Sequence, residues 1–122
     1  MSDETTTLDV AGLKELAGAA FFLIWEDEDA GEREEVVEAS RAVMQKTAHK
    51  LVELGPVART ADVLAVLRSC IEAFNELDRR WGAPWIMTIQ REDICVELYR
   101  IVRLTGLGDH PDLDDGTVWR HW

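Results

Sequence analysis

The strongest constraint on the fold is a series of apolar residues between positions 63 and 81, spaced alternately four and three apart. The series comprises Val63, Leu67, Cys70, Phe74, Leu77 and Trp81. This spacing places the side chains on one face of an α-helix, because a helix turns once in about 3.6 residues. The pattern predicts a helix over residues 61–80, with Thr60 as its N-cap and its apolar face at the centre of the core.

Three further segments have helical spacing of their apolar residues. The predicted helices span residues 9–27, 30–54 and 89–105. Asp9 is the expected N-cap of the first, Gly55-Pro56 ends the second, and Gly106 ends the last. Short connections between such helices favour antiparallel neighbours. The sequence therefore predicts one all-α domain over residues 1–122, a four-helix up-down bundle with a Trp-containing loop and an ordered C-terminal tail over 106–122.

Charge and hydropathy restrict the classes of partner. The chain of 122 residues has a net charge of −11, and residues 1–54 alone carry 13 acids and 5 bases. Such a surface repels a phosphate backbone, so we expect no nucleic-acid binding and a protein partner that is basic. No apolar run reaches the roughly 18 residues that a membrane span needs. The polar N-terminus predicts no signal peptide, so the expected location is the cytoplasm.

Five apolar residues, Phe21 to Trp25, run directly into four acids, Glu26 to Asp29. Asp29 has the spacing to cap the second helix, with Glu32 completing a capping box. The acids at 26 to 28 have no such structural role. We therefore predict a partner-binding region that includes Phe21, Trp25, Glu26, Asp27 and Glu28. Because the stretch Ala19–Trp25 is apolar all round, it also predicts a homodimer contact.

Four tryptophans are concentrated in the loop after the third helix and in the tail. They are Trp81, Trp85, Trp119 and Trp122. In one interpretation the tail folds back and these indoles close the end of the bundle. In the other they form a binding surface, because Trp and Arg are enriched where partners bind most strongly. The second interpretation adds these four tryptophans and Arg91 to the partner-binding residues, or makes this end a site for small anions.

A metal site is the main catalytic alternative. "EEVVE", Glu34 to Glu38, resembles half of the motif of the all-helical nucleotide pyrophosphohydrolases of the MazG type, which hold magnesium with EExxE on one helix and ExxD on the next. The resemblance implies a magnesium site at Glu34, Glu35, Glu38 and Glu72. The second half departs from the motif, since Asn75 stands where that family has Asp.

The other chemical signals are weak. The three histidines lack the spacing of a metal site, Cys70 and Cys95 lie within apolar helical patterns, and no glycine-rich phosphate loop is present. We therefore predict no cofactor and no catalytic residue. The favoured function is a non-catalytic, acidic helical protein–protein interaction module. It would act as an immunity-like inhibitor of a basic toxin or as a subunit of a complex.

Overall fold

The computed structural model describes residues 4–22, 25, 34–81, 86 and 88–107. These residues form four helices and one small sheet. The helices are α1 (Val10–Ala17), α2 (Glu34–Leu54), α3 (Thr60–Arg80) and α4 (Thr88–Val102), and the strands are β1 (Thr5–Thr7) and β2 (Val57–Arg59). The prediction of a mostly helical chain is confirmed, whereas the up-down order of a four-helix bundle is not. The sheet was not predicted.

The sheet joins the start of the described chain to the α2–α3 connection. β1 and β2 are antiparallel, with Thr6 opposite Ala58. Two backbone bonds extend the pairing, from Leu8 N–H to the Pro56 carbonyl (2.8 Å) and from Thr60 N–H to the Glu4 carbonyl (2.9 Å). Thr60 is thus the first residue of α3 and not its cap; Arg59 holds the cap position and makes no side-chain capping bond. Three-residue strands are too short to be recognised by alternation of apolar and polar residues.

α1 is much shorter than the predicted helix over residues 9–27. The Asp9 cap is confirmed, because its carboxylate accepts a hydrogen bond from Gly12 N–H at 3.0 Å. The helix nevertheless ends at Ala17, with Gly18 as its C-cap, and Phe21 and Phe22 lie in a turn. A helix that is apolar on every side cannot bury all its side chains against one neighbour. The turn buries both phenylalanines, which are 0% and 2% exposed.

The core follows the α3 pattern. The α3 residues predicted to face inward are buried, apart from the half-buried Trp81 that follows the helix: they are Val63, Leu67, Cys70, Phe74 and Leu77. They pack with the buried side of α2, which includes Val37, Met44 and Leu51. α2 ends at Leu54 as predicted, and the positive φ of 88° at Gly55 suits glycine after a helix.

α4 contributes Ile94, Ile101 and Val102 to the core. It ends three residues earlier than predicted and continues as turns to Gly106. The Leu104 carbonyl accepts from Asp9 N–H at 2.8 Å, which joins this end of α4 to the start of α1. None of the described helices is both long and apolar enough to cross a membrane. The predicted tail from residue 108 onward, and residues 30–33 of the predicted second helix, lie outside the described residues.

Candidate partner-binding site

Phe21, Phe22 and Trp25 form a buried cluster, here called the aromatic anchor. Phe22 stacks on Trp25 with ring centroids 4.2 Å apart and 13° between the planes. The same ring meets Phe74 of α3 edge-on at 6.2 Å. All three anchor side chains are at most 3% exposed. Aromatic burial of this kind stabilises a fold by several kcal/mol, about 3–5 kcal/mol for each ring lost to alanine.

Two side chains of α2 hold the backbone of this segment. Gln45 Nε2 donates to the Ala19 carbonyl at 2.8 Å, and Arg41 Nε donates to the Phe21 carbonyl at 2.9 Å. Both side chains are half-buried. Long polar side chains reach from the edge of a helix to carbonyls that no helix or strand satisfies. The periodicity of apolar residues therefore does not predict these two hydrogen bonds.

Two carboxylates of α4 hold the same segment from another side. Glu97 Oε2 accepts from Phe22 N–H at 2.8 Å, and Asp93 Oδ2 accepts from the Trp25 indole N–H at 2.7 Å. The Glu97 side chain is only 14% exposed and also pairs with Arg100 at 3.1 Å. The Arg100 guanidinium in turn lies 5.2 Å from the centre of the Phe21 ring, a cation–π contact. Hydrogen bonds to charged groups, such as the two accepted by Glu97 and Asp93, contribute about 1.5–3 kcal/mol each to stability.

The backbone at Phe22 is strained. Its φ of 60° lies in the left-handed region that bulky residues rarely adopt. Such a conformation costs about 1–3 kcal/mol and persists only where the surroundings fix it. The ring contacts of the anchor and the Glu97 bond supply that constraint. Phe22 and Trp25 are therefore held against α3 and α4 by these contacts.

The predicted partner-binding residues have different environments. Phe21 and Trp25 are buried. The aromatic side chains described within the apolar stretch Ala19–Trp25 are thus covered by residues of their own chain. Trp81 is half-buried and packs against the core, and Arg91 is exposed in the first turns of α4. The other six predicted residues lie outside the described part of the chain: Glu26, Asp27, Glu28, Trp85, Trp119 and Trp122.

The carboxylates of the alternative metal site lie on exposed surface. Glu34, Glu35 and Glu38 occupy the exposed side of α2, and Glu72 is bound to Arg68 at 2.9 Å one turn earlier on α3. Within the described ranges, no group of three or more His, Cys, Asp or Glu side chains is arranged to hold a metal ion. The half-motif of α2 therefore has no complement in this part of the chain.

Cys70 is a core residue. Its thiol lies 3.9 Å from the sulfur of Met44, and burial raises its pKa to about 11, partly offset by a hydrogen bond with Thr47. A thiol with this pKa stays protonated at neutral pH, so it is a poor nucleophile. Cys95 on α4 is half-buried and forms no disulfide. Cys70 thus has the structural role that its sequence pattern predicted.

A comparison of the chain with protein families, curated proteins and solved structures found no significant match.

Proposed function

We propose that this chain is a non-catalytic helical protein that binds a basic protein partner through the acidic run, Glu26 to Asp29, in which Glu26, Asp27 and Glu28 make the contacts. The observation that carries the proposal is the fixation of Trp25, the residue immediately before the run. Its ring is stacked on Phe22 and its indole N–H is bound to Asp93. A fixed attachment point lowers the entropy lost when the following residues bind a partner.

The distribution of charge supports a basic partner. The described residues contain 14 acids and 11 bases, so the other 10 acids and 2 bases fall in the remaining segments. The acidic run alone holds four of those acids. A local excess of carboxylates attracts a basic surface and raises the rate of association. An immunity-like inhibitor of a basic nuclease is one form of this function, and an acidic subunit of a complex is another.

The experiment compares two variants of equal net charge. The site variant carries Glu26→Gln, Asp27→Asn and Glu28→Gln. The control variant carries Glu15→Gln, Glu53→Gln and Asp62→Asn, three exposed acids of α1, α2 and α3. Each tagged protein is used to recover partners from the native cell after cross-linking, and the recovered proteins are quantified by mass spectrometry.

We expect a basic protein that is recovered with the wild type and the control variant and is lost with the site variant. The purified pair should then bind more weakly as salt rises, since screening weakens exposed charge interactions. Equal recovery by all three proteins would show that the acidic run does not bind the partner. Circular dichroism of both variants verifies that each is folded.

Two alternatives are tested with the same wild-type protein. The pyrophosphohydrolase-like enzyme requires magnesium binding and release of pyrophosphate from nucleotides, and both are measured directly by calorimetry and phosphate assay. The small-anion binder requires a change in tryptophan fluorescence when phosphate or sulfate is added, because the tryptophans would line the site. A positive result in either assay would favour that alternative over the protein-binding function.

A further inference from the structure

α4 presents an apolar pair to solvent on the side that faces away from the core. Val96 and Tyr99 are 63% and 56% exposed, whereas Ile94 and Ile101 on the opposite side are at most 1% exposed. Glu92 and Arg103, both exposed, lie before and after this pair. We call these four residues, Glu92, Val96, Tyr99 and Arg103, the α4 outer face.

The four residues lie on one line along the helix. Their spacing of four, three and four keeps them on a single side, because an α-helix turns once in about 3.6 residues. Arg103 follows the last residue of α4, yet its N–H still donates to the Tyr99 carbonyl at 3.0 Å, so the helical turn continues to it. The face is therefore about 16 Å long from Glu92 to Arg103.

The order of side chains along this line is self-complementary. It reads acid, apolar, apolar, base, and the spacing is the same from either end. A second copy placed antiparallel, with a twofold axis midway between Val96 and Tyr99, brings each Glu92 beside Arg103 of the other copy. The same operation packs each Val96 against Tyr99 of the other copy. Twofold dimers require such a surface, in which one patch fits itself.

We propose that the α4 outer face is a homodimer contact, formed by antiparallel pairing of α4 with α4 of a second copy. The charges of the face support this occupant. Among the described residues, neither Glu92 nor Arg103 has an ion-pair partner in its own chain, whereas Glu97 and Arg100 on the same helix pair with each other. The proposal is independent of the partner-binding function of the acidic run.

The size of the contact sets its strength. Stable interfaces bury about 800 Å² on each partner, and one pair of short helix faces buries less. The dimer is therefore weak and forms at micromolar or higher concentration. The two end charges set the antiparallel register, since like charges brought together oppose the pairing.

The test uses charge reversal and sedimentation equilibrium over a wide range of protein concentration. Glu92→Arg makes both ends of the face basic, and Arg103→Glu makes both ends acidic. We expect each variant alone to raise the dimer dissociation constant by roughly tenfold or more. An equimolar mixture of the two should dimerise again, because each Arg then meets a Glu. The double variant Glu92→Arg/Arg103→Glu should also dimerise.

Two controls make the result specific. Tyr99→Ser should weaken the dimer without lowering the melting temperature, since the side chain lies mostly in water. Lys46→Glu, an exposed reversal on α2, should leave the dimer unchanged. A wild type that stays monomeric at all concentrations would overturn the proposal. A dimer that Glu92→Arg, Arg103→Glu and Tyr99→Ser all retain would also overturn it. The same holds for a mixture of the two charge-reversed variants that remains monomeric.

Discussion

Trp25 and Asp93 lie 68 positions apart in sequence, and the indole N–H of the first donates a hydrogen bond of 2.7 Å to the carboxylate of the second. This bond connects the segment after α1 to the early turns of α4. Together with the Phe22–Glu97 bond, it holds Phe22 and Trp25 against α4. The stability of the aromatic anchor should therefore depend on its own residues and on Asp93 and Glu97 of α4.

Trp25→Phe removes the indole donor and leaves the aromatic stack largely in place. We expect the free energy of unfolding to fall by about 1–3 kcal/mol, because a partly buried carboxylate loses its donor. Urea unfolding followed by circular dichroism measures the change. Asp93→Asn retains an acceptor oxygen and should have a smaller effect. A Trp25→Phe variant as stable as the wild type would show that the bond contributes nothing.

Glu97 should matter more as an acceptor for Phe22 N–H than as an ion-pair partner of Arg100. Glu97→Gln keeps an acceptor and should lower the free energy of unfolding by less than about 1 kcal/mol, whereas Glu97→Ala should lower it by about 1–3 kcal/mol. Glu76→Ala is the matched control, since Glu76 pairs with Arg79 at 2.7 Å but is 68% exposed. Equal losses in Glu97→Ala and Glu76→Ala would contradict this prediction.

Two glycines should respond oppositely to alanine. At Gly106, φ is +73° and an added Cβ would lie 2.7 Å from Thr6 Oγ1, so Gly106→Ala should lower the free energy of unfolding by at least about 1 kcal/mol. At Gly18, φ is −109° and the site is open. Gly18→Ala should raise stability by about 0.4–1 kcal/mol, because the unfolded chain loses freedom. Thermal unfolding of both variants measures these changes. A stability change of the same sign in the two variants would refute the explanation.

Cys70 should make stability decrease at alkaline pH. Burial raises its pKa from 9.0 to about 11, so the folded state holds the proton where the unfolded state has released it. The stabilising contribution is complete below pH 9 and is lost as pH rises toward 11, by an amount on the order of 2–3 kcal/mol. Urea titrations of the wild type and Cys70→Ala between pH 8 and 10.5 measure this. The variant should show the shallower decrease, and identical slopes would exclude Cys70 as the cause.

Features that depend on nearby residues were predictable from the sequence. The spacing of Val63, Leu67 and Phe74 predicted α3 within one residue of its ends, because helix periodicity and burial agree there. The Asp9 cap and the Gly55 stop are also local, each involving backbone groups within a few positions. Local propensity and packing lead to the same structure in these places.

The anchor required information that periodicity does not contain. Its apolar residues fit a helix over 9–27, but tertiary contacts from α2 and α4 stabilise a turn with a strained Phe22 instead. Arg41 and Gln45 lie outside the apolar pattern of α2, yet their length lets them bind the carbonyls of Phe21 and Ala19. Asp93 and Glu97 interact with residues far away in sequence. In the sequence, the continuous apolar stretch Ala19–Trp25 and the four acids after it were the signals that this segment is unusual.

The pairing of β1 with β2 has a consequence for how the chain folds during synthesis. Thr5–Thr7 are made first, but their strand partner, Val57–Arg59, is made some fifty residues later. Leu104, whose carbonyl accepts a hydrogen bond from Asp9 N–H, is made later still. On the ribosome, the backbone groups of Thr5–Thr7 and Asp9 therefore stay bound to water until their partners have been made. The backbone hydrogen bonds of this segment are therefore completed only after α4 has been made.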